Sequence, residues 1–148
     1  MEPRINIYTD GSSLGNPGPG GYGIILEWKN KNYVKEYSKG FKYTTNNRME
    51  LLAVVVALEK LKINRANVVV FTDSKYIVDS VELKRVFKWE NNNFKKIKNP
   101  DLWIRFLKMN SKHNIKFIWI KGHSNHPQNE RCDKLAVMAA KNNPVERD

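Results

Sequence analysis

The sequence predicts one α/β domain, residues 1–148, built on a five-stranded mixed sheet with helices on its faces. Three observations carry that prediction. Three strand-like segments near the N-terminus follow one another through short connections, which only antiparallel neighbours allow. Residues 68–71, Val-Val-Val-Phe, are apolar on both faces, as suits a central parallel strand covered by helices. Beyond Asn47 helical and strand-like patterns alternate, with no internal repeat or low-complexity linker between them.

Residues 5–10 read as the first strand, running into a glycine-rich bend over 11–21. Residues 22–28 and 33–41 read as the second and third, joined by the polar turn Lys29-Asn30-Lys31-Asn32. From Asn47 the period changes: Met49, Leu52, Ala53 and Val56 fall at i, i+3, i+4 and i+7, while Leu51, Val54, Val55 and Leu58 make the neighbouring faces apolar. A deeply packed helix ending near Leu61-Lys62 follows from that pattern. After the strand at 68–71 come a helix over 74–81, a basic stretch from Lys84 to Lys98 and a helix opening at Pro100-Asp101. A strand over 115–120 and a last helix over 129–142 complete the chain.

Its 148 residues are enough to bury roughly two-thirds of the surface that the unfolded chain exposes. Apolar residues make up 41% and charged residues 28%, the balance of a globular domain. No apolar run approaches the ~18 residues of a membrane span, and Met1-Glu2-Pro3-Arg4 leads straight into a strand pattern instead of a signal peptide. Cys132 is the only cysteine, which excludes an internal disulfide and agrees with a reducing compartment; the expected location is cytoplasmic. Twenty-six Lys and Arg against fifteen Asp and Glu give a net charge of +11 and a pI near 9.8. Such a field attracts polyanions, nucleic acid or acidic lipid.

Two segments end alike: Ile7-Tyr8-Thr9-Asp10-Gly11-Ser12 and Val70-Phe71-Thr72-Asp73-Ser74 each carry a strand into Thr-Asp and a small residue. Ligands of open α/β sheets gather at the carboxyl ends of strands, so Asp10 and Asp73 are candidates for one shared site, or else both cap turns. Glu50 sits in the first turn of an apolar helix, on the row through Val54, Ala57 and Leu61 that should face the sheet; its other reading is a capping box with Asn47. Asp133 lies early in the last helix, beside an apolar face marked by Leu135, Ala136 and Ala139, where a helix-dipole interaction is the rival account. Four carboxylates from two strands and two helices suit a pair of hard divalent cations such as Mg2+, and without metal they would repel one another. His123 and His126 with Cys132 and Asp133 only loosely resemble a zinc pattern, because no second cysteine is at hand. The glycine-rich bend lacks the Gly-Lys-Ser/Thr of a P-loop and opens no helix, so close approach of backbone to a ligand, or a plain tight turn, accounts for it better than nucleotide binding.

Tyr8-Thr9-Asp10-Gly11-Ser12, Gly15-Asn16-Pro17-Gly18, Thr44-Thr45-Asn46-Asn47-Arg48-Met49-Glu50-Leu51, Thr72-Asp73-Ser74, Lys121-Gly122-His123 and Asn129-Glu130-Arg131-Cys132-Asp133 closely resemble, in order and spacing, the motifs of type 1 ribonuclease H. The likeness covers nearly the whole chain. It implies a ribonuclease H-like fold and an endonuclease that hydrolyses the RNA strand of RNA/DNA hybrids, leaving 5′-phosphate and 3′-hydroxyl ends. Asp10, Glu50, Asp73 and Asp133 would hold two Mg2+ ions, replaceable by Mn2+, with Asp10 bridging them and Glu130 at the rim. His123 would assist proton transfer or product departure.

By the same resemblance Asn16, Asn46 and Asn47, with backbone groups from Gly11 to Ser13, read the 2′-hydroxyls that mark RNA. For Asn46 and Asn47 the plainer account is that they start the helix. Thr45 and Asn99 match positions that grip a phosphate of the DNA strand. Lys84, Arg85, Lys88, Trp89, Lys95, Lys96 and Lys98 correspond to a basic protrusion around 82–98, with Phe87, Trp89 and Phe94 interleaved among the charges. The chain departs from the family pattern in carrying Ser80 and Lys84 where bacterial members have more tryptophan, and Lys75 where glutamine is common; Lys75 would add a phosphate contact. A monomer is expected. Two other readings are a hybrid-binding domain that has lost catalysis, opposed by the presence of all four acids and His123, and a transposase or integrase core, opposed by Asn46-Asn47-Arg48-Met49-Glu50 and the His123 loop.

Overall fold

The computed structural model describes residues 3–122 and 125–148. β1 (Arg4–Ser13), β2 (Gly18–Trp28) and β3 (Tyr33–Thr44) form an antiparallel meander; α1 (Asn46–Glu59) leads to β4 (Asn67–Thr72). Then come α2 (Lys75–Glu82), α3 (Arg85–Asn91), α4 (Pro100–Asn110), β5 (Asn114–Trp119) and α5 (Pro127–Lys141). The sheet runs β3-β2-β1-β4-β5, with β1, β4 and β5 parallel, so β1 lies at its centre and its carboxyl end adjoins that of β4. The predicted mixed sheet is present.

One face carries the main core. Ile5, Ile7, Ile24, Leu26, Val68 and Val70 pack there against α1 and α4, and α1 is buried nearly all round, with Val54 and Ala57 fully covered. That burial follows from a helix apolar on several faces. Tyr8, Ile25 and Cys132 form a smaller cluster on the other face, under α5.

Two boundaries differ from expectation for one reason. Residues 11–13 and 18–21, read from the sequence as bend, are strand, with Ser13 opposite Gly20 and Gly11 opposite Tyr22. Gly11 and Gly21 there, like Gly23 further along β2, serve close packing against helices. A Cβ on Gly21 would stand 2.7 Å from the Ala136 carbonyl, one on Gly23 would lie 2.7 Å from the Leu135 Cβ, and one on Gly11 would overlap the backbone of Met49 and Glu50. Only Gly15, at φ +100°, needs glycine for its backbone conformation.

α3 is a further correction, because the stretch from Lys84 to Lys98 showed no helix in the sequence. Seven residues are too few to display a period, yet Val86 is buried, while Phe87, Trp89, Phe94 and Ile97 pack on the core. Trp89 stands edge-on to Trp103 at 5.8 Å, so it anchors this segment instead of offering an open ring. α5 begins two residues earlier than predicted, since Pro127 takes the first helical position and the His126 Nδ1 accepts the Asn129 backbone N–H at 3.2 Å. His126 is thus a cap, which removes it from the zinc reading.

Candidate active site

The carboxyl ends of β1 and β4 and the start of α1 converge on one point. Asp10, Glu50 and Asp73 each bring a carboxylate oxygen there, all within 4.8 Å of one another. None is engaged as a cap. Asp10 lies within β1, paired with Gly23, three residues before the strand ends. Beside Asp73 the capping is done by its neighbours: the Thr72 hydroxyl accepts the Ser74 N–H at 3.1 Å, and the Ser74 hydroxyl accepts the Ile77 N–H at 3.3 Å to start α2. Ser74→Ala should therefore cost about 1 kcal/mol and lower the midpoint of thermal unfolding by about 2–4 °C, without removing any carboxylate.

Glu50 is not in a capping box with Asn47. Thr45 caps α1 by accepting the Arg48 N–H at 3.3 Å, and the Glu50 carboxylate reaches away from the helix to accept the Gly11 N–H. That contact needs Gly11, because only a residue without Cβ lets β1 and α1 come so close. Asp133 stands in the second turn of α5, past the reach of a first-turn dipole effect, and lines the same cleft with Glu130.

Both inner acids resist ionisation. Burial, with Asp73 and Asp133 nearby, raises the Asp10 carboxyl to about 8, although a hydrogen bond with Glu50 opposes the rise. Burial and then the Asp10 charge hold Glu50 well above the ordinary carboxylate range. Buried, mutually repelling oxygen ligands fit a hard divalent cation, and a cluster of this kind is costly for any purely structural purpose.

The carboxylates line a cleft of about 430 Å³ that also takes in Asn46, Asn47, Lys75 and Tyr76. A second cleft of about 710 Å³ continues from it through Asn46, Asn47 and Tyr76 to Asn16, Thr45, Lys98 and Asn99. Polar contacts bind the rim together: the Asn46 Oδ1 accepts from the Ser13 backbone N–H at 2.8 Å and its hydroxyl at 2.9 Å, and the Asn16 Oδ1 accepts the Asn46 N–H at 3.1 Å. Lys84, just before α3, Arg85 and Lys88 on it, and Lys95 and Lys96 after it are exposed, outside both clefts. Lys84 lies over the Phe87 ring at 5.6 Å. His123 lies outside the described residues.

Three contributors to the clefts were given no role from the sequence. Tyr76 borders both clefts, and its hydroxyl accepts from the Asn99 amide at 3.3 Å and the Trp103 indole at 3.0 Å. Arg48 ties the second cleft together, pairing with Asp101 at 2.8 Å, donating to the Asn99 Oδ1 at 3.3 Å and pairing with Asp148. Asp101 and then Asp148 hold its guanidinium above its ordinary pKa. Asn129, 4% exposed, sits beside the carboxylates with its side-chain oxygen unpaired among the described residues. Arg48 and Asn129 stood inside quoted motifs, but no pattern marks which partners a side chain meets in the fold.

The family model described as RNase H matches residues 2–141. The chain belongs to the ribonuclease H family. A ribonuclease H of Desulforamulus reducens is 54% identical over 143 residues, covering 93% of this chain and 88% of that protein. Among solved structures, LC9-RNase H1, a type 1 RNase H with the type 2 active-site motif, superposes with a TM-score of 0.84 at 34% identity over 95% of this chain and 73% of that one. LC11-RNase H1, solved in complex with RNA/DNA hybrid, gives 0.68 at 31% identity over 92% and 96% of the two chains. The chain is thus a bacterial-type RNase H1, an endoribonuclease family whose members depend on a divalent metal, and its acidic triad is present.

Proposed function

We propose that this RNase H hydrolyses the RNA strand of RNA/DNA hybrids with two Mg2+ ions, for which Mn2+ can substitute, leaving 5′-phosphate and 3′-hydroxyl ends. The single observation that carries the reading is the triad Asp10, Glu50 and Asp73, three carboxylates within 4.8 Å in an open cleft. Asp10, Glu50, Asp73 and Asp133 would hold the ions. When bound, the ions would activate the attacking water and stabilise the leaving 3′ oxygen. Asp10 would help to hold both ions, Glu130 lines the rim of the cleft, and His123 would move a proton or clear product.

The remaining residues bind and orient. Asn46 spends its oxygen on Ser13, which leaves its amide donor for a 2′-hydroxyl; Asn16, Asn47 and the backbone from Gly11 to Ser13 complete that surface. Thr45 and Asn99, beside Lys98 in the adjoining cleft, suit a phosphate of the DNA strand. Lys75 adds a charge near the cut site, while Lys84, Arg85, Lys88, Lys95 and Lys96, on a protrusion around 82–98 anchored by Trp89, draw the hybrid backbone. Asn46→Ala is expected to lower kcat/KM on hybrid about tenfold, mainly through KM, in steady-state cleavage assays. We read residues 1–148 as one domain acting as a monomer in the cytoplasm; no described helix is long and apolar enough to cross a membrane.

The test is incubation with an RNA/DNA hybrid, duplex RNA and duplex DNA, with Mg2+ or with EDTA, followed by mapping of the ends. Cutting confined to hybrid RNA and abolished by EDTA is the expected result. Binding of hybrid without cleavage in Mg2+ or Mn2+ would replace the enzyme by a binding domain, and cutting of duplex DNA would point to a transposase-like core.

A further inference from the structure

We infer that Trp119 is a positioning residue: its indole ring holds the Lys75 ammonium at the rim of the carboxylate cleft, clear of the carboxylates and available to a phosphate of the nucleic acid. The inference rests on the hybrid as substrate and adds a residue that no motif marked.

Lys75 is the first residue of α2 and lines the cleft formed by Asp10, Glu50 and Asp73. A lysine so near three clustered carboxylates is drawn toward them electrostatically. Among the described residues it nevertheless makes no ion pair. Its Nζ lies 4.9 Å from the centroid of the Trp119 ring, within the range where an aromatic face attracts a cation.

Trp119 is itself fixed to the site. It closes β5 opposite Thr72 of β4, and its indole N–H donates to the Asp73 carbonyl at 3.1 Å. Trp119 is 43% exposed, so core packing does not account for its position. Its two polar contacts both lead to the cleft, one to the backbone of a carboxylate residue and one to the lysine beside it. A flexible lysine anchored on a fixed ring has lost part of its freedom before substrate arrives, so less remains to be lost on binding. The carboxylates stay unneutralised for the cation, and the ammonium stays unpaired for the phosphate.

The test measures hybrid affinity in EDTA across a NaCl series for the unmodified chain, Lys75→Gln, Trp119→Phe, Trp119→Leu and the double variant Lys75→Gln/Trp119→Leu. Lys75→Gln should weaken binding about fivefold and reduce the salt slope by about one. Trp119→Leu should match that change, and the double variant should add nothing to it. Trp119→Phe, which keeps an aromatic face and loses the indole donor, should keep the slope of the unmodified chain. A Trp119→Leu slope equal to that of the unmodified chain, additive effects in the double variant, or a Trp119→Phe slope as reduced as that of Trp119→Leu would each overturn the role. If Trp119→Leu does not unfold cooperatively on heating, Trp119→Met, a long apolar side chain with no aromatic face, takes its place. Failure of the hybrid reading shows separately, as hybrid RNA left intact by the unmodified chain in Mg2+; a chain that cuts hybrid with all slopes unchanged overturns the roles of Lys75 and Trp119 and leaves the hybrid reading standing.

Discussion

Asp10→Asn is expected to lower cleavage of hybrid RNA by about a thousandfold while making the metal-free protein more stable. The two effects share a cause. Asp10 is 6% exposed and close to Glu50, Asp73 and Asp133, so its charge is costly to the fold and valuable only to a bound cation. An amide of the same shape removes that charge, and with it the best-placed ligand, a loss in the range seen when one preorganised electrostatic contact is deleted. In EDTA the variant should melt about 2–4 °C above the unmodified chain at pH 8, a gain of about 1 kcal/mol.

The sign of the pH dependence follows. The folded chain holds the Asp10 proton up to about 8, whereas an unfolded carboxyl releases it near 4. The stabilisation is therefore complete below about pH 4 and is lost as pH rises through about 8, and Asp10→Asn should flatten that decline. Thermal melts in EDTA from pH 5 to 9 check it. Equal slopes in the two proteins would refute the account of Asp10.

The second large effect is that of Gly11→Ala. An added methyl group would overlap the Glu50 nitrogen and the Met49 carbonyl carbon, both backbone atoms that cannot rotate aside. α1 must then move off β1, at about 3 kcal/mol or roughly 6–12 °C in melting temperature. Cleavage should fall at least tenfold, since the same shift carries the Glu50 carboxylate away from the Gly11 N–H. Gly15→Ala is the control: its cost of about 1 kcal/mol arises mainly from φ +100°, with the added carbon 3.2 Å from the Pro17 carbonyl oxygen, in a bend that supports no helix. If both variants lost the same stability and activity, close packing at Gly11 would not be the cause.

Gly11 also shows where reading the sequence falls short. Glycine between apolar runs signals a turn, and the same residue permits strand and helix to touch; only the helix's position distinguishes the two. The sheet and α1 were legible because their apolar periods are long, whereas α3 was too short to show one and is held by the burial of its own Val86 and the packing of Trp89 against Trp103 of α4. The acids were legible because each sits in a motif of its own. That Asp10, Glu50 and Asp73 meet, with Asp133 lining the same cleft, is a property of the assembled sheet. Arg48 and Tyr76 act through partners far along the chain, Asp148 and Asn99 among them, and no local pattern encodes such pairs.

The candidate ligands come from β1, α1, the residue that follows β4, and α5, at positions 10, 50, 73 and 133, so no fragment of the chain holds them together. Any cation they capture binds the finished fold and not the unfolded chain, and by mass action each tenfold excess over its dissociation constant deepens the native state by about 1.4 kcal/mol. Hydrolytic competence and completed folding then arrive in a single step: a ribosome-bound or half-denatured chain has no centre with which to damage RNA until its last helix has docked.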